Sequence, residues 1–159
     1  MGTEIGAHYA VGSWGRIVPV RLRTHTDVFE GINGNCEAEG IKQGAVLTGI
    51  GSVRKLTYQV LVPKPDTKLG AGYAEPMEVS GPVEIASLSG VIFQSEDGEL
   101  LLHLHGTFSD RNGGVLAGHL VAGGNPVLAT LEAVIVEVSG ASMIRQMDEQ
   151  VGMQLVTPR

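Results

Sequence analysis

The chain has 159 residues, a formal net charge of −6, 43 % hydrophobic residues and 18 % charged residues. This length fits one domain that can bury its own core. The acidic balance argues against a domain that binds DNA through phosphate contacts, because such domains carry a basic patch. Cys36 is the single cysteine, which excludes a disulfide within the chain and favours a reducing cytoplasm. Apolar stretches are too short for a membrane span, so we expect a soluble cytoplasmic protein without a membrane partner.

Short strands dominate the first part of the chain, with one helix between them. The helix is expected over 27–40, with Thr26 or Asp27 as its N-cap and Gly40 as its end. Cys36 lies on the inner face of this helix and is expected to be a small buried hydrophobe. The predicted strands are 17–23, 45–50, 51–62, 83–93 and 129–140.

The remaining segments complete an expected three-part division of the chain. Residues 63–80 contain three prolines and form the longest irregular stretch, which is typical of a functional or mobile segment. Ser142 is predicted to cap a short amphipathic helix. The division is an N-terminal extension (1–19), a folded domain (20–140) and a C-terminal helix and tail (141–159). The fold class is α+β, a mostly antiparallel sheet with one or two flanking helices.

The most informative segment is LLLHLHGTFSDRNGGVLAGHLVAGG (100–124), which holds three of the five histidines. If it forms a hairpin with an odd-numbered loop centred on Asn112, His105 lies opposite His119, with His103 next on the same face. The opposite face is then continuously apolar. A two-residue Asn-Gly loop would move His119 to the other face and break the apolar face, so the pattern favours the odd loop.

Three imidazoles on one strand face predict a metal site at His103, His105 and His119. Their Cβ atoms would lie roughly 5–7 Å apart, which lets each ring reach one ion at about 2.0–2.1 Å. Nitrogen ligands suit Zn²⁺, and Cu²⁺, Ni²⁺ and Fe²⁺ are less easily excluded. A fourth position would stay open for water, a substrate or a side chain of a neighbouring subunit. The alternative is that these histidines are ordinary polar residues on a solvated strand face.

The stretch LHLHGTFSDRNGGVLAGHL resembles the signature of the plant and prokaryote conserved (PPC) domain: an H-x-H strand, a Ser-Asp-x-x-Gly turn and a Gly-His-Leu strand. Three further stretches agree in the order of the family, and the resemblance covers roughly 20–140. They are LTGIGSV (47–53), VEIASLSGVI (83–92) and LATLEAVIVEV (128–138).

The resemblance implies an α+β domain that assembles as a homotrimer. In prokaryotic members the motif histidines look like a zinc site, which maps onto His103, His105 and His119. Plant members are AT-hook nuclear-localised proteins whose domain mediates self-association and transcription-factor contact, and prokaryotic members are described as predicted DNA-binding proteins. This chain lacks an Arg-Gly-Arg-Pro hook, and its GPVEIA stretch matches the plant contact motif only at Gly81, Glu84 and Ile85. Both departures argue against the plant type of partner contact.

Three functions follow from these features. The first is a homotrimeric zinc-binding protein with a regulatory or binding role, whose partners could include DNA or a small-molecule ligand. The second is a zinc-dependent hydrolase or lyase acting on a small molecule, since three histidines with an open position can lower the pKa of a bound water towards about 7. Glu84 and Glu132 are the candidate carboxylates for that chemistry, and their alternative is a solvated strand face. The third is a DNA-binding protein, which the net charge disfavours.

Overall fold

The computed structural model describes residues 6–159, and in that range it contains one helix and ten strands. The α+β class with a mostly antiparallel sheet is therefore confirmed, with a single helix among these residues. None of the described helical residues form a segment that is long and apolar enough to cross a bilayer. In chain order the elements are β1 (Ser13–Arg23), α1 (Val28–Glu39), β2 (Gly44–Gln59), β3 (Leu61–Pro63), β4 (Ala71–Tyr73), β5 (Met77–Ser95), β6 (Leu100–Ser109), β7 (Val115–Leu120), β8 (Val127–Ser139), β9 (Met143–Asp148) and β10 (Met153–Pro158).

Eight of these strands form one sheet in the order β1-β8-β2-β7-β6-β5-β9-β10. β2 also pairs with β5, so that β2, β7, β6 and β5 close into a ring in which each strand pairs with two others. The pairing of β5 with β9 is parallel. β3 and β4 form a separate two-stranded ribbon. The edges of the large sheet are β1, which contains Pro19, and β10, which ends at Pro158.

Helix α1 begins and ends where its capping residues predict. The Asp27 side chain accepts a hydrogen bond from the Phe29 N–H at 2.9 Å, and Gly40 adopts the left-handed conformation that closes the helix. Ile32 and Cys36 on its inner face are fully buried in the core. Burial raises the pKa of the Cys36 thiol to about 11, so this side chain is an inert core group, as expected from the sequence.

The expected C-terminal helix is wrong, because the tail forms the β9–β10 hairpin. Asp148 accepts hydrogen bonds from the backbone of Gln150 and Val151, and Gly152 has a positive φ of 74°, so this stretch makes a tight turn. Strand β9 then pairs with the end of β5, where Ile144 lies opposite Gln94. Pairing with an existing strand outweighs the weak helix preference of a short segment.

The other differences concern where strands begin and end. Strand β1 starts at Ser13, within the expected extension 1–19, and pairs along β8; residues 1–5 of that extension lie outside the described part of the chain. The two strands expected at 45–50 and 51–62 are one long β2 followed by the short β3. The irregular stretch 63–80 contains β4 and the first residues of β5.

Asp27, Thr57 and Asn125 form a buried polar group, called here the Asn125 network. Asn125 is fully buried; its Oδ1 accepts from the Thr57 N–H at 2.8 Å and its Nδ2 donates to the Val121 carbonyl at 2.6 Å. The Asn125 N–H donates to Asp27 Oδ2 at 2.9 Å, and the Thr57 hydroxyl donates to the Gly124 carbonyl at 3.0 Å. These bonds fix the connection between β7 and β8 against the end of β2.

Apolar side chains are exposed on the side of the sheet that faces away from the core, called here the outer face. Ile17, Leu47 and Ile50 are 50–63 % exposed. Pro19 lies opposite Val134 on the neighbouring strand, and both line a shallow groove with Ile50. These five residues form the outer patch. An exposed apolar patch of this kind is typical of a surface that associates with another protein.

Candidate metal centre

The β6–β7 hairpin has the register that the apolar pattern predicts. His105 lies opposite His119, Gly106 opposite Gly118 and Phe108 opposite Leu116. Leu104, Phe108 and Leu120 are fully buried, so the other face of the hairpin carries the histidines outward. The odd-numbered loop is therefore confirmed.

Asp110 builds the turn that sets this register. Its Oδ1 accepts hydrogen bonds from the Asn112 N–H at 2.8 Å and the Gly114 N–H at 2.7 Å. The backbone of Asp110 closes the loop with Gly114, and Gly113 has a φ of 81° that suits glycine. The turn thus has the side-chain hydrogen bonding that the sequence predicts for Asp110.

His103, His105 and His119 converge at one point on the outer face, called here the histidine centre. One nitrogen from each ring lies within 4.8 Å of the other two, and the Nε2 atoms of His103 and His105 are 2.8 Å apart. The ring centroids are 4.8–5.2 Å apart, and the ring planes are inclined at 51–73° to one another. The structure therefore brings together all three residues that the sequence predicts as ligands.

Two glycines allow the strands to approach closely beside the centre. A Cβ atom on Gly118 would lie 2.5 Å from the Gln59 carbonyl oxygen, and one on Gly90 would lie 2.1 Å from the His103 carbonyl oxygen. Side chains at these positions would push β7 away from β2 and β6 away from β5. The glycines thus let the two histidine-bearing strands lie directly against β2 and β5.

Burial keeps two of the imidazoles neutral. Burial, together with the smaller effects of the charges of His103, His105 and Arg145, lowers the pKa of His119 to about 4. Burial also lowers the pKa of His103, again with a contribution from His105 and Arg145. A neutral imidazole has a lone pair available for a metal at neutral pH, so no proton has to be displaced.

The three rings fit a small dication. Tetrahedral zinc with Zn–N bonds of about 2.0–2.1 Å needs nitrogens about 3.4 Å apart, which the rings reach by shifts of about an ångström. The Nδ1 atom of His119 is buried and has no hydrogen-bond partner among the described residues. A buried polar atom of this kind is costly unless something outside the chain's own groups compensates it. An all-nitrogen donor set suits zinc, whereas calcium and magnesium prefer oxygen ligands.

The surroundings of the centre include residues that sequence reasoning missed. The Tyr73 ring from β4 stacks on His119 with centroids 4.9 Å apart, and burial raises the pKa of its phenol. Gln59 lies opposite His119 on β2, and Arg145 comes from β9. Tyr73 falls in the stretch 63–80, whose length was the one available signal, whereas Arg145 falls in the wrongly predicted helix.

The carboxylates considered from the sequence lie elsewhere. Glu84 is opposite Ser52 and Ser109, and Glu132 is opposite Arg21 and Ile50 beside the outer patch. The ligand group found in residues 6–159 consists of the three imidazoles and includes neither glutamate. A general base next to the metal is therefore not supplied by the two residues that the sequence singled out.

Comparison with known proteins gives a family and several similar folds. The model of the Plants and Prokaryotes Conserved (PCC) domain matches residues 9–139. The crystal structure of a metal-containing protein from Archaeoglobus fulgidus is 25 % identical, has a TM-score of 0.78 and covers 96 % of this chain and 99 % of its own.

Two further structures share the fold. A candidate DNA-binding protein from Bacteroides thetaiotaomicron is 25 % identical with a TM-score of 0.72, covering 91 % of this chain and 96 % of its own. A plant- and prokaryote-conserved protein from Pyrococcus horikoshii is 22 % identical with a TM-score of 0.75, covering 98 % of this chain and 97 % of its own. No curated protein gives a significant match.

Proposed function

Because this chain belongs to the Plants and Prokaryotes Conserved domain family, we propose that it is a homotrimeric protein that binds one zinc ion per chain through His103, His105 and His119 and acts in a binding or regulatory role. The observation that carries the proposal is the convergence of three imidazoles on one rigid hairpin. The metal content of the Archaeoglobus fulgidus relative supports it. We place the protein in the cytoplasm, which suits its single, unpaired Cys36.

The residues have separate tasks in this proposal. His103 and His105 project from adjacent outward positions of β6, and His119 projects from the paired position of β7, so each contributes one ring nitrogen. Tyr73 covers one side of the His119 ring. Zinc bound there would supply a Lewis acid with an open coordination position. His105 is exposed, so a ligand could reach that position from solvent.

The experiment that tests this proposal is metal analysis of protein purified without an affinity tag or chelator. We expect close to one zinc per chain in the wild type and in His8→Ala, whose histidine lines a separate surface cavity with Trp14 and Met143. His119→Ala and His103→Ala should contain almost none. Wild-type protein that contains no metal and takes up none when zinc is added would contradict the proposal.

The trimer is proposed to form through the outer patch. Ile50 is 53 % exposed at its centre, and burying such side chains against copies of the same surface would remove apolar area from water. Ile50→Glu should lower the mass measured by light scattering from three chains to one. Leu69→Glu is the matched control, since Leu69 is 52 % exposed but lies between β3 and β4. A trimer that survives Ile50→Glu would place the interface elsewhere.

A zinc-dependent enzyme is the second candidate, favoured by the solvent-exposed His105 and the open coordination position that three protein ligands leave. DNA association is a third, suggested by the Bacteroides thetaiotaomicron relative and opposed by the net charge of −6. Retention of DNA that falls steeply with salt would support the third candidate. Turnover of small esters or anhydrides that is lost in His119→Ala would support the second.

A further inference from the structure

The strand register places Arg145 on the same face of the sheet as the histidine centre. Arg145 lies opposite Ser95 on β5, and Val91, four residues earlier on β5, lies opposite His103. Residues separated by an even number along a strand share a face, so Arg145 and His103 both lie on the outer face. Arg145 is exposed, so its side chain is free to extend over this face.

Arg145 makes no ion pair with any of the residues that the structure describes. Within residues 6–159, three ion pairs are present, and none of them includes Arg145. Arg145 is close enough that its positive charge acts on both His103 and His119. The exposed acidic turn Glu96–Asp97 follows Ser95 directly, yet neither carboxylate comes within ion-pair distance of the guanidinium.

The charges that would act on a ligand at the centre are those of the metal and of Arg145. Three neutral imidazoles leave the two positive charges of a bound zinc ion uncompensated, and Arg145 adds a third. The ligand group itself contains no carboxylate. In a chain with a net charge of −6, this is a local site for an anion.

Two hairpins limit the size of what can bind. The β3–β4 ribbon brings Tyr73 to one side of the centre, and the β9–β10 hairpin brings Arg145 to the other. The two meet near their tips, where Lys68 Nζ donates to the Glu149 carbonyl. The space between Tyr73 and Arg145 thus admits a small molecule more readily than a protein segment.

From this arrangement we infer that the open position of the histidine centre binds the carboxylate of a small molecule, with Arg145 holding its second oxygen. One coordination position and one guanidinium match the two oxygens of a carboxylate. The inference rests on the proposed zinc site and names the ligand class that this site takes.

The test is acetate binding to the zinc-loaded protein at constant ionic strength, followed by calorimetry and, in the cobalt-substituted protein, by the visible absorption of the metal. We expect Arg145→Ala to weaken acetate binding by about tenfold, as for the loss of one charge-assisted hydrogen bond. Arg145→Lys should keep part of the affinity, and Arg111→Ala, at the exposed tip of the β6–β7 hairpin, should keep all of it. Metal content should be equal in all four proteins.

Each other result has a definite meaning. Equal acetate affinity in the wild type and Arg145→Ala, with zinc bound in both, would overturn this inference and leave the zinc site intact. Inorganic phosphate that binds more tightly than acetate, with the same dependence on Arg145, would overturn the assignment to carboxylates. Wild-type protein without zinc would overturn the proposed function, and this inference with it.

Discussion

Two polar clusters at the end of β2 differ in how their hydrogen bonds are satisfied. Asn125 is fully buried, and both ends of its side-chain amide are bonded. The histidine centre is half buried, contains one hydrogen-bond contact between two imidazoles and leaves His119 Nδ1 without a partner among the described residues. Both clusters lie against β2, with Thr57 beside one and Gln59 beside the other.

The difference separates a structural role from a binding role. A buried polar network that satisfies its own groups stabilises the fold and has nothing left to offer a ligand. The histidine centre leaves the buried His119 Nδ1 without a partner among the described residues, so a bound ion would supply a contact that the free protein lacks. The predictions below measure these two energies separately.

The largest effect is expected from Asn125→Ala. This change leaves the Thr57 N–H and the Val121 carbonyl unpaired, each at about 1–3 kcal/mol, so the free energy of unfolding should fall by about 3 kcal/mol. Urea unfolding measures it. Asn112→Ala, in the exposed hairpin loop, should change stability by less than about 0.5 kcal/mol. A loss below about 1 kcal/mol for Asn125→Ala would mean that water takes over the hydrogen bonds of the missing amide.

The loss of stability in His119→Ala should depend on whether metal is present. Without metal we expect a loss of about 1 kcal/mol, mainly the stacking on Tyr73. With zinc at a hundred times its Kd the wild type should gain about 2.7 kcal/mol and the variant nothing. Unfolding curves with and without zinc give both values, and His8→Ala should gain as much as the wild type. Equal gains in the wild type and His119→Ala would exclude His119 as a ligand.

Asp110→Ala tests whether the turn positions the centre. Asp110 accepts two backbone hydrogen bonds in an exposed loop, so its removal should cost about 1 kcal/mol. Zinc affinity should fall as well, since His105 and His119 would no longer be held in register. Asp110→Asn keeps an acceptor and should preserve both the stability and the zinc affinity. Asp97→Ala, which removes an aspartate from another turn, is the control. Unchanged zinc affinity in Asp110→Ala would show that the strands alone set the register.

The smallest effect concerns a surface ion pair, which sets the lower end of the scale. Arg16 donates two side-chain hydrogen bonds of 2.9 Å to the Glu137 carboxylate, and these lower the pKa of Glu137 from 4.5 to about 2. The folded pKa is the lower one, so the stabilisation is complete above pH 4.5 and is lost as the pH falls towards 2. In metal-free protein, stability should fall less steeply between pH 5 and 3 in Glu137→Gln than in the wild type. Parallel pH profiles would show that the pair contributes nothing.

The candidate site could be predicted to a large extent because its determinants are local. The hairpin needs only the alternation of apolar residues around Leu104 and Phe108 and an odd loop that Asp110 closes. Once the register is known, the positions of the three histidines follow. The capping residues of α1 were predictable for the same reason, since a cap bonds within its own turn.

The missed features depend on contacts between distant parts of the chain. Asn125 bonds to Asp27, 98 residues away, and no local pattern in the sequence marks such a pair. Arg145 reaches the centre only because β9 adds to β5 in parallel, and the Asp148–Gly152 turn can be mistaken for the end of a helix. The continuity of β2 likewise depends on its partners β5, β7 and β8.

The prolines in the two edge strands of the large sheet have a consequence for aggregation. Closing β2, β7, β6 and β5 into a ring leaves β1 and β10 as the only edges of the large sheet in residues 6–159. Each edge contains a proline, Pro19 or Pro158, which has no N–H to donate to an incoming strand. Pro19 interrupts the row of backbone donors within β1 and Pro158 ends the row in β10, which makes both edges poorer templates for an incoming strand.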